Sequence, residues 1–371
     1  MRIAVLKETA AGESRVAASP ETVKKFIALG ASVAVEAEAG LSAAIADADY
    51  TAAGAEVCKD PAKGAGIVLG VQGPDVAALK GAIKGAWIVA GLDPFGQRAR
   101  IDAYAKAGFE ALAMEFMPRI TRAQSMDILS SQSNLSGYKA VIEAANAYGR
   151  AFPMMMTAAG TVSAAKCFVM GVGVAGLQAI ATARRLGAQV SATDVRSATK
   201  EQIMSLGAKP VFVENVAGIE GEGAGGYATE MSPEYQAAQA ELVSSHIAKQ
   251  DIVITTALIP GRAAPRLVSD AQLASMKPGS VVFDLAVAQG GNVEGSKADE
   301  VVIRHGVKII GWSNTPAHLA ADTSALFSRN LYNFLSAFWD QEAGRPVLDE
   351  EIGNAVRLTL GGKVVHERLL G

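Results

Sequence analysis

The sequence predicts an α/β protein with two doubly wound parallel-sheet domains and a cleft between them, and three observations support this fold class. Short β-rich runs alternate with helical patterns from end to end, as they do where helices connect parallel strands. The length of 371 residues is typical of about two domains. Half of the residues are hydrophobic and only 19% are charged, so the chain can bury a large core.

Composition argues against several kinds of partner. The formal net charge is −3, so no basic surplus favours nucleic acid or a membrane surface. The longest uncharged run, 167–183, is shorter than the roughly twenty residues that cross a bilayer. The N-terminus reaches charged residues too early for a signal peptide, and the two cysteines, Cys58 and Cys167, form no disulfide framework. We therefore expect a cytoplasmic protein that neither binds nucleic acid nor inserts directly into a membrane.

The predicted strands and helices fall into two groups. Strands are expected near 3–6, 32–36, 67–71, 87–90 and 110–113 in the first group, and near 167–170, 189–193, 210–213, 251–256, 280–285 and 307–311 in the second. Two long helices, 137–150 and 322–339, are expected to join the groups and return the C-terminus to the first domain. The sequence thus predicts a discontinuous N-terminal α/β domain, 1–135 and 325–371, and a nucleotide-binding domain, 136–324.

A dinucleotide-binding fingerprint stands at the start of the second domain. The strand at 167–170 runs into the pattern G-x-G-x-x-G at 171–176, which opens a helix predicted over 177–186. Gly171 permits the tight turn, Gly173 lets the backbone approach a pyrophosphate, and Gly176 lets the helix pack close to the strand. The amides and dipole of the helix N-terminus then point at the phosphates. This combination is typical of a Rossmann-like domain, and a glycine-rich turn that binds nothing is the alternative.

An acidic residue favours NAD(H) as the dinucleotide. Asp194 ends the next strand, 18 residues after Gly176, where a carboxylate accepts a hydrogen bond from the ribose 2′-hydroxyl. The same carboxylate would repel the 2′-phosphate of NADP(H). Arg196, two residues further on, weakens this preference without reversing it.

A run of polar side chains at 117–134 lies near the expected crossing between the domains. Four of its members are placed to line one side of the cleft and to hold a nicotinamide carboxamide and ribose: Arg119, Gln124, Asp127 and Ser130. The alternative is an exposed polar start of a helix, because such side chains favour helix ends.

The segment 214–233 is about twenty residues without periodicity, and it contains five glycines and one aromatic residue, Tyr227. Loops of this length inside a compact domain are usually functional or disordered. A lid that closes over bound nucleotide is one interpretation. A flexible insertion without function is the other.

Histidine is scarce, and this bears on the chemistry. The four histidines are His246, His305, His318 and His366. A dehydrogenase acting on an alcohol or amine must move a proton, usually through histidine, whereas hydride transfer between two nicotinamide rings needs only positioning and exclusion of water. The scarcity favours the second chemistry, although a lysine, an aspartate or one of these histidines remains an alternative proton carrier. No metal-ligand spacing is present, so we expect no metal.

At these residues the chain resembles the NAD(H)-binding component (domain I, within the alpha subunit) of proton-translocating NAD(P) transhydrogenase. The matching stretches are 12–17, 118–134, 150–161, 171–183, 193–196, 225–228 and 255–261. The resemblance implies two α/β domains, usually paired as a homodimer, with NAD(H) in the cleft. It also implies hydride transfer from NADH to NADP⁺ on a separate NADP(H)-binding subunit, coupled to proton movement by a membrane proton-channel subunit. Such a chain would lie at the inner face of the cell membrane, held there through its partner subunits.

The resemblance also implies roles for particular residues. The catalytic contacts on the nicotinamide side fall on Arg119, Gln124, Asp127 and Ser130, and Tyr227 is the aromatic residue of a mobile loop. The residues expected to bind the cofactor are Arg119, Ile120, Thr121, Gln124, Ser125, Met126 and Asp127 in the polar run, Gly171, Gly173, Val174, Ala175 and Gly176 in the fingerprint, Asp194, Val195 and Arg196 after the next strand, and Gly226, Gln239 and Leu258 near the adenosine.

Alanine dehydrogenase, which shares the fold, is the main alternative. It resembles this chain at Arg15 but needs a lysine near 68–71 and a catalytic histidine shortly after 87–91, and neither is present here. The region 57–108 departs from the transhydrogenase pattern as well, so no function is assigned to it. A non-catalytic NAD-sensing module is a third hypothesis, which the polar run at 119–130 disfavours because sensing requires no positioned nicotinamide.

Overall fold

The computed structural model describes residues 1–213, 232–259 and 261–370, which divide into two compact units. Unit 1 is Met1–Gln132 with Ala317–Gly371, and unit 2 is Ser133–Pro316. Each unit contains its own doubly wound sheet with helices between the strands. The α/β fold class with two Rossmann-like sheets, predicted from the sequence, is confirmed.

Unit 1 is built on a six-stranded parallel sheet. Its strands are β1 (Arg2–Val5), β2 (Ser32–Glu36), β3 (Glu56–Cys58), β4 (Ile67–Gln72), β5 (Trp87–Gly91) and β6 (Glu110–Ala113), in the order β3-β2-β1-β4-β5-β6. The helices between them are α1 (Pro20–Ala28), α2 (Asp47–Ala52) and α3 (Arg98–Ala107). The strand order changes direction between β1 and β4, which is the point where doubly wound sheets bind ligands.

Helix α4 (Ile128–Ala147) leads from unit 1 into unit 2 and begins nine residues before the predicted helix 137–150. Its first two turns are rich in serine, glutamine and asparagine, so they lack the apolar periodicity from which a helix is predicted. Asp127 accepts a hydrogen bond from the backbone N–H of Ser130 at 3.0 Å, which stabilises this polar helix start.

Unit 2 repeats the strand order of unit 1 and adds an antiparallel strand at the edge. After a small hairpin of β7 (Met155–Thr157) and β8 (Gly160–Val162), the sheet consists of β9 (Lys166–Met170), β10 (Gln189–Thr193), β11 (Lys209–Pro210), β12 (Ile252–Thr255), β13 (Val281–Asp284), β14 (Glu300–Arg304) and β15 (Val307–Gly311), in the order β11-β10-β9-β12-β13-β15-β14. The connecting helices are α5 (Val174–Arg185), α6 (Thr199–Ser205), α7 (Pro233–Ile247) and α8 (Asp270–Ser275). Its switch point lies between β9 and β12. Strand β14, which the sequence did not predict, pairs with β15 through a two-residue turn.

The chain then returns to unit 1. Helix α9 (Ala320–Ala337), predicted over 322–339, buries Phe327, Leu331, Phe334 and Leu335 in the same core as β1 and α1. Beyond it lie β16 (Trp339–Asp340), β17 (Arg345–Pro346), α10 (Glu350–Val356), β18 (Thr359–Leu360) and β19 (Lys363–Val364). The Thr359 hydroxyl accepts from Ala111 N–H at 2.8 Å, which fixes this tail beside β6. Among the residues that the structure describes, no helix combines the length and apolar composition that a bilayer-crossing segment requires.

Candidate dinucleotide-binding site

The fingerprint turn lies at the carboxyl edge of the unit 2 sheet, where β9 meets α5. Gly171 has a φ of 99°, and a Cβ there would come 2.6 Å from the hydroxyl oxygen of Thr256. A Cβ on Gly176 would come 1.9 Å from the carbonyl oxygen of Gly171, so glycine is required at both positions. At Gly173, no described atom lies within 4 Å of a Cβ position. The turn is therefore tightly packed on its inner side and open at Gly173, as the approach of a pyrophosphate requires.

Helix α5 begins at Val174, three residues earlier than predicted, and directly after the second fingerprint glycine. Gly173 occupies the cap position and offers no side-chain acceptor, so the N–H groups of the first turn are available to an anion. The start of α5 is fixed from the side by α4, because a Cβ on Gly137 would lie 2.0 Å from the carbonyl oxygen of Ala175. Gly137 was missed as a site residue, since nothing in its sequence context indicates this close approach.

Asp194 lies at the end of β10 and is 8% exposed. One of its carboxylate oxygens accepts the backbone N–H of Val172 at 2.7 Å, inside the glycine turn. The guanidinium of Arg196 donates to both oxygens, at 2.9 and 3.1 Å, and the half-buried Val195 separates the two residues. Asp194 thus orients the turn and is itself held by Arg196, so a ribose hydroxyl has to share the carboxylate with this arginine.

The residues predicted near the adenosine lie on two elements of unit 2. Leu258 is exposed on the segment after β12, and Gln239 is half-buried on α7. Tyr235, one turn before Gln239, is buried, and its pKa is raised by burial and by the charge of Asp194. The start of α7 therefore lies near Asp194, and Tyr235 is a neighbour that sequence reasoning missed. Gly226 and Tyr227 lie outside the described residues, as does nearly all of the predicted lid 214–233.

The polar run in unit 1 forms a short 3₁₀ helix, Thr121–Met126, followed by the start of α4. Its side chains divide by exposure: Arg119, Thr121, Gln124 and Ser125 are exposed, Ile120 is half-buried, and Met126 is buried. Asp127 and Ser130 are brought together, because the Ser130 hydroxyl donates to the Asp127 carboxylate at 2.5 Å. The structure therefore places the half-buried Asp127 and Ser130 at the start of a helix and Arg119 and Gln124 on the surface, and the nicotinamide contacts of these four residues stay a prediction.

The C-terminal elements of unit 1 hold the polar run in place. Arg122 forms ion pairs with Asp349, at 2.5 Å, and with Glu351. The side-chain amide of Asn330 on α9 donates to the carbonyl oxygen of Ser125 at 2.8 Å. These partners are some 200 residues away in sequence, which is why no local pattern indicates them.

A buried polar cluster occupies the switch point of unit 1. The Arg15 guanidinium forms two hydrogen bonds to the Glu13 carboxylate, at 2.8 and 2.7 Å, and one to Gln132 at 2.8 Å. Gln72, at the end of β4, donates to the same carboxylate at 2.9 Å. Because Glu13 already balances Arg15, and an amide stands at position 72, the cluster lacks the surplus positive charge that an anionic amino-acid or oxo-acid substrate would require.

Two carboxyl groups of this cluster differ in pKa. Burial raises the pKa of Glu8 to about 7, even though its carboxylate accepts the Val71 backbone N–H at 2.5 Å. Burial also acts to raise the pKa of Glu13, but the hydrogen bonds and charge of Arg15 outweigh it and lower that pKa to about 2. Among the described residues, no group of histidine, cysteine and carboxylate side chains is arranged to hold a metal ion.

Comparisons with known proteins agree with this geometry. Family models match both halves of the chain: the alanine dehydrogenase/PNT N-terminal domain over residues 4–136 and the C-terminal domain over 140–367. The chain is 50% identical over 384 residues to the first part of NAD(P) transhydrogenase subunit alpha from Rhodospirillum rubrum, covering 100% of this chain and 99% of that protein. The crystal structure of transhydrogenase from Sinorhizobium meliloti matches with a TM-score of 0.89 and 54% identity, over 98% of this chain and 100% of that one. Alanine dehydrogenase of Mycobacterium tuberculosis is 30% identical over 310 residues, covering 80% of this chain and 75% of that protein.

The two domains and the fingerprint turn define a dinucleotide-binding protein of the alanine dehydrogenase/PNT class. Within that class, the chain belongs to the family of NAD(P) transhydrogenase alpha subunits. The family binds NAD(H), so the cofactor predicted from the glycine turn and Asp194 is confirmed.

Proposed function

We propose that this chain is the NAD(H)-binding subunit of a proton-translocating NAD(P)⁺ transhydrogenase. It would pass hydride from NADH to NADP⁺ held on a partner subunit, while a membrane subunit couples the transfer to proton movement. The observation that carries the proposal is the open glycine turn 171–176 with Asp194 beside it, in a chain half identical to a transhydrogenase alpha subunit over its full length.

The reaction moves a hydride, with both of its electrons, from C4 of the reduced nicotinamide to C4 of the oxidised one. No proton is gained or lost at either carbon, so the chain has to orient the ring and exclude water and needs no acid–base residue at the reacting atoms. The first turn of α5 would bind the pyrophosphate, and Asp194 would accept a ribose hydroxyl. By resemblance, Arg119, Gln124, Asp127 and Ser130 would contact the nicotinamide side, with Tyr227 on the mobile loop.

Reconstitution tests this function. The purified chain is mixed with an NADP(H)-binding transhydrogenase subunit, NADH and an oxidised NADP analogue whose reduction has its own absorbance. We expect reduction of the analogue that requires both proteins. A mixture that binds NADH but reduces no analogue would contradict the proposal and favour the NAD-sensing hypothesis.

A stand-alone alanine dehydrogenase-like activity is the second candidate, because the chain is 30% identical to such an enzyme and, by resemblance, matches it at Arg15. The buried Glu13–Arg15 ion pair and Gln72 argue against it. Incubation of the chain alone with NAD⁺ and L-alanine or other small amino acids decides the matter. Substrate-dependent NADH formation would replace the transhydrogenase proposal.

We also propose that the chain acts as a homodimer, held at the inner face of the membrane through its partner subunits. The hairpin β7–β8 and the residue before it support self-association, since Met154, Met155 and Met156 are 62%, 43% and 80% exposed. Contiguous exposed apolar side chains of this kind mark interaction surfaces. Sedimentation of wild type and of Met156→Ser, compared over a range of concentrations, tests whether this hairpin contributes to the dimer.

A further inference from the structure

The segment that follows β12 depends on one buried side chain. Asn292 is completely buried, and its amide nitrogen donates to the carbonyl oxygens of Ala257, at 2.9 Å, and Pro265, at 2.8 Å. Its amide oxygen accepts the backbone N–H of Ala257 at 3.1 Å. Both N–H donors of the Asn292 amide are thus bonded to carbonyl oxygens, those of Ala257 and Pro265.

Asn292 is itself held by a buried carboxylate. Asp284, at the end of β13, is completely buried, and one of its oxygens accepts the backbone N–H groups of Ala286, at 3.0 Å, and Asn292, at 3.2 Å. Its other oxygen accepts the N–H of Val293 at 3.2 Å. Gly291 has a φ of 78°, and a Cβ there would come 2.7 Å from the carboxylate, so the turn closes directly on Asp284.

The segment held by Asn292 adjoins the fingerprint turn. Thr256, the residue before Ala257, donates its hydroxyl to the carbonyl oxygen of Gly171 at 2.9 Å. Leu258, the residue after Ala257, presents an exposed apolar side chain at the carboxyl edge of the sheet. Buried hydrogen bonds therefore join Asp284 to Asn292, and Asn292 to Ala257. Of the two residues beside Ala257, Thr256 contacts the glycine turn and Leu258 lies at the edge of the sheet where we propose that the nucleotide binds.

We propose that Asn292, oriented by Asp284, is a positioning residue for NADH binding. It touches no cofactor atom itself but fixes the backbone of Ala257, and through it the contacts that Thr256 and Leu258 make. Without the amide, the N–H and C=O of Ala257 and the C=O of Pro265 lose their partners, and the segment relaxes away from the turn. The proposal rests on the proposed function only in that NADH is the ligand.

A pair of buried amides allows a matched test. Gln250 is 4% exposed at the opposite, amino edge of the same sheet, and its amide donates to the carbonyl oxygen of His246 at 3.1 Å. We compare Asn292→Ala with Gln250→Ala by fluorescence titration of NADH and by thermal unfolding. The Kd for NADH should rise about tenfold in Asn292→Ala and change less than twofold in Gln250→Ala, although both lower Tm. Equal changes in Kd, or no change in Asn292→Ala, would overturn the proposal.

Two further measurements separate positioning from general damage. In the reconstituted reaction, Asn292→Ala should raise KM for NADH while kcat and KM for the NADP analogue stay near wild type. The milder Thr256→Val, which removes only a hydroxyl, should raise the Kd for NADH in the same direction by a smaller factor.

Amide hydrogen exchange tests the positioning role of Asn292 without NADH, and therefore separately from the proposed function. In Asn292→Ala without ligand, faster exchange should be confined to peptides covering 256–268 and the fingerprint turn. Unchanged exchange there would overturn the positioning role. Failure of the wild type to bind NADH would contradict the proposed function instead, while the exchange result would still decide whether Asn292 fixes the segment.

Discussion

At the scale of single residues, Asp194 has a predicted role in accepting a ribose hydroxyl and a structural role in holding the glycine turn. The sequence indicates only the first. A carboxylate at the end of the second strand is expected in an NAD(H) site. Its bond to Val172 and its ion pair with Arg196 depend on side-chain directions, which the spacing of residues in sequence does not specify. The arginine that weakened the preference for NAD(H) in the sequence is therefore neutralised by the very acid that creates this preference.

Replacing Asp194 by asparagine should shift dinucleotide preference. The variant removes the negative charge and releases Arg196 to meet a 2′-phosphate, while an amide oxygen can still accept one hydrogen bond. We expect the ratio of NADPH to NADH dissociation constants to fall about tenfold, measured by fluorescence titration of both nucleotides. Asp270→Asn, at a half-buried, ion-paired aspartate elsewhere in unit 2, serves as the control. An unchanged ratio in Asp194→Asn would contradict the role given to the charge.

Glu115 should make the stability of unit 1 fall with rising pH. Its carboxylate accepts the N–H groups of Leu92 and Asp93 at 2.8 and 2.6 Å, and burial raises its pKa to about 7. This pKa lies above the unfolded value near 4.5. The contribution of Glu115 to the free energy of unfolding is therefore fully present below pH 4.5 and is lost as the pH rises through 7. The whole contribution amounts to about 3 kcal/mol, at about 1.4 kcal/mol per pKa unit.

Urea unfolding at several pH values between about 5 and 8 measures this effect. Glu115→Gln keeps an acceptor for both N–H groups but does not titrate, so its free energy of unfolding should decline less over this range than that of the wild type. Glu8, whose pKa is also raised to about 7, should leave part of the decline in place. Parallel curves for wild type and variant would show that Glu115 does not titrate as stated.

At the scale of elements, burial explains which regions of the fold the sequence predicts. Strands such as β4, β9 and β12 are covered on both faces and appear as apolar runs, so their positions follow within a residue or two. Strand β14 lies at the edge, exposes Val301 and Ile303, and has an apolar run of only three residues, 301–303. The glycine turn could be predicted because the spacing of its three glycines within six residues is itself the signal, whereas the bonds of Asn292 join residues far apart in sequence.

The approach of α4 to α5 should tolerate no side chain at position 137. Gly137→Ala places a methyl group where only 2.0 Å separates it from the Ala175 carbonyl oxygen, so the start of α5 has to move. We expect a loss of about 1–3 kcal/mol in the free energy of unfolding, together with weaker NADH binding. Gly149→Ala is the matched control, because no described atom lies within 4 Å of its Cβ position. Wild-type affinity in Gly137→Ala would show that the fingerprint turn does not depend on this packing.

At the scale of the whole molecule, unit 1 is incomplete without residues that follow unit 2. Helix α9 supplies Phe327, Leu331, Phe334 and Leu335 to the core beneath β1 and α1. A chain that ends at residue 316 should therefore leave this core open while the sheet of unit 2 stays folded. Hydrogen exchange should show lost protection over 1–132 and retained protection in β9 and β12, with increased binding of a hydrophobic dye.

A chain that ends at residue 344 gives an intermediate comparison, because it keeps α9 but lacks Ile352 and Val356, which are buried in the same core. It should retain more protection in β1 and β4 than the chain that ends at residue 316. Full protection of 1–132 in the shorter chain would mean that α9 is not needed to complete the core of unit 1.

The discontinuity of unit 1 also orders events during synthesis. The first 132 residues leave the ribosome long before α9 is synthesised. The whole of unit 2 is therefore made while the core of unit 1 still lacks the apolar side chains of α9. In unit 1 the two crossing points lie together, because the Gln132 amide donates to the Thr323 carbonyl oxygen at 3.1 Å. Once unit 2 has folded, it links the two parts of unit 1 as a short connection instead of a long flexible chain. Bringing the two parts together then costs less conformational entropy. The first domain to be translated is thus the last to be completed.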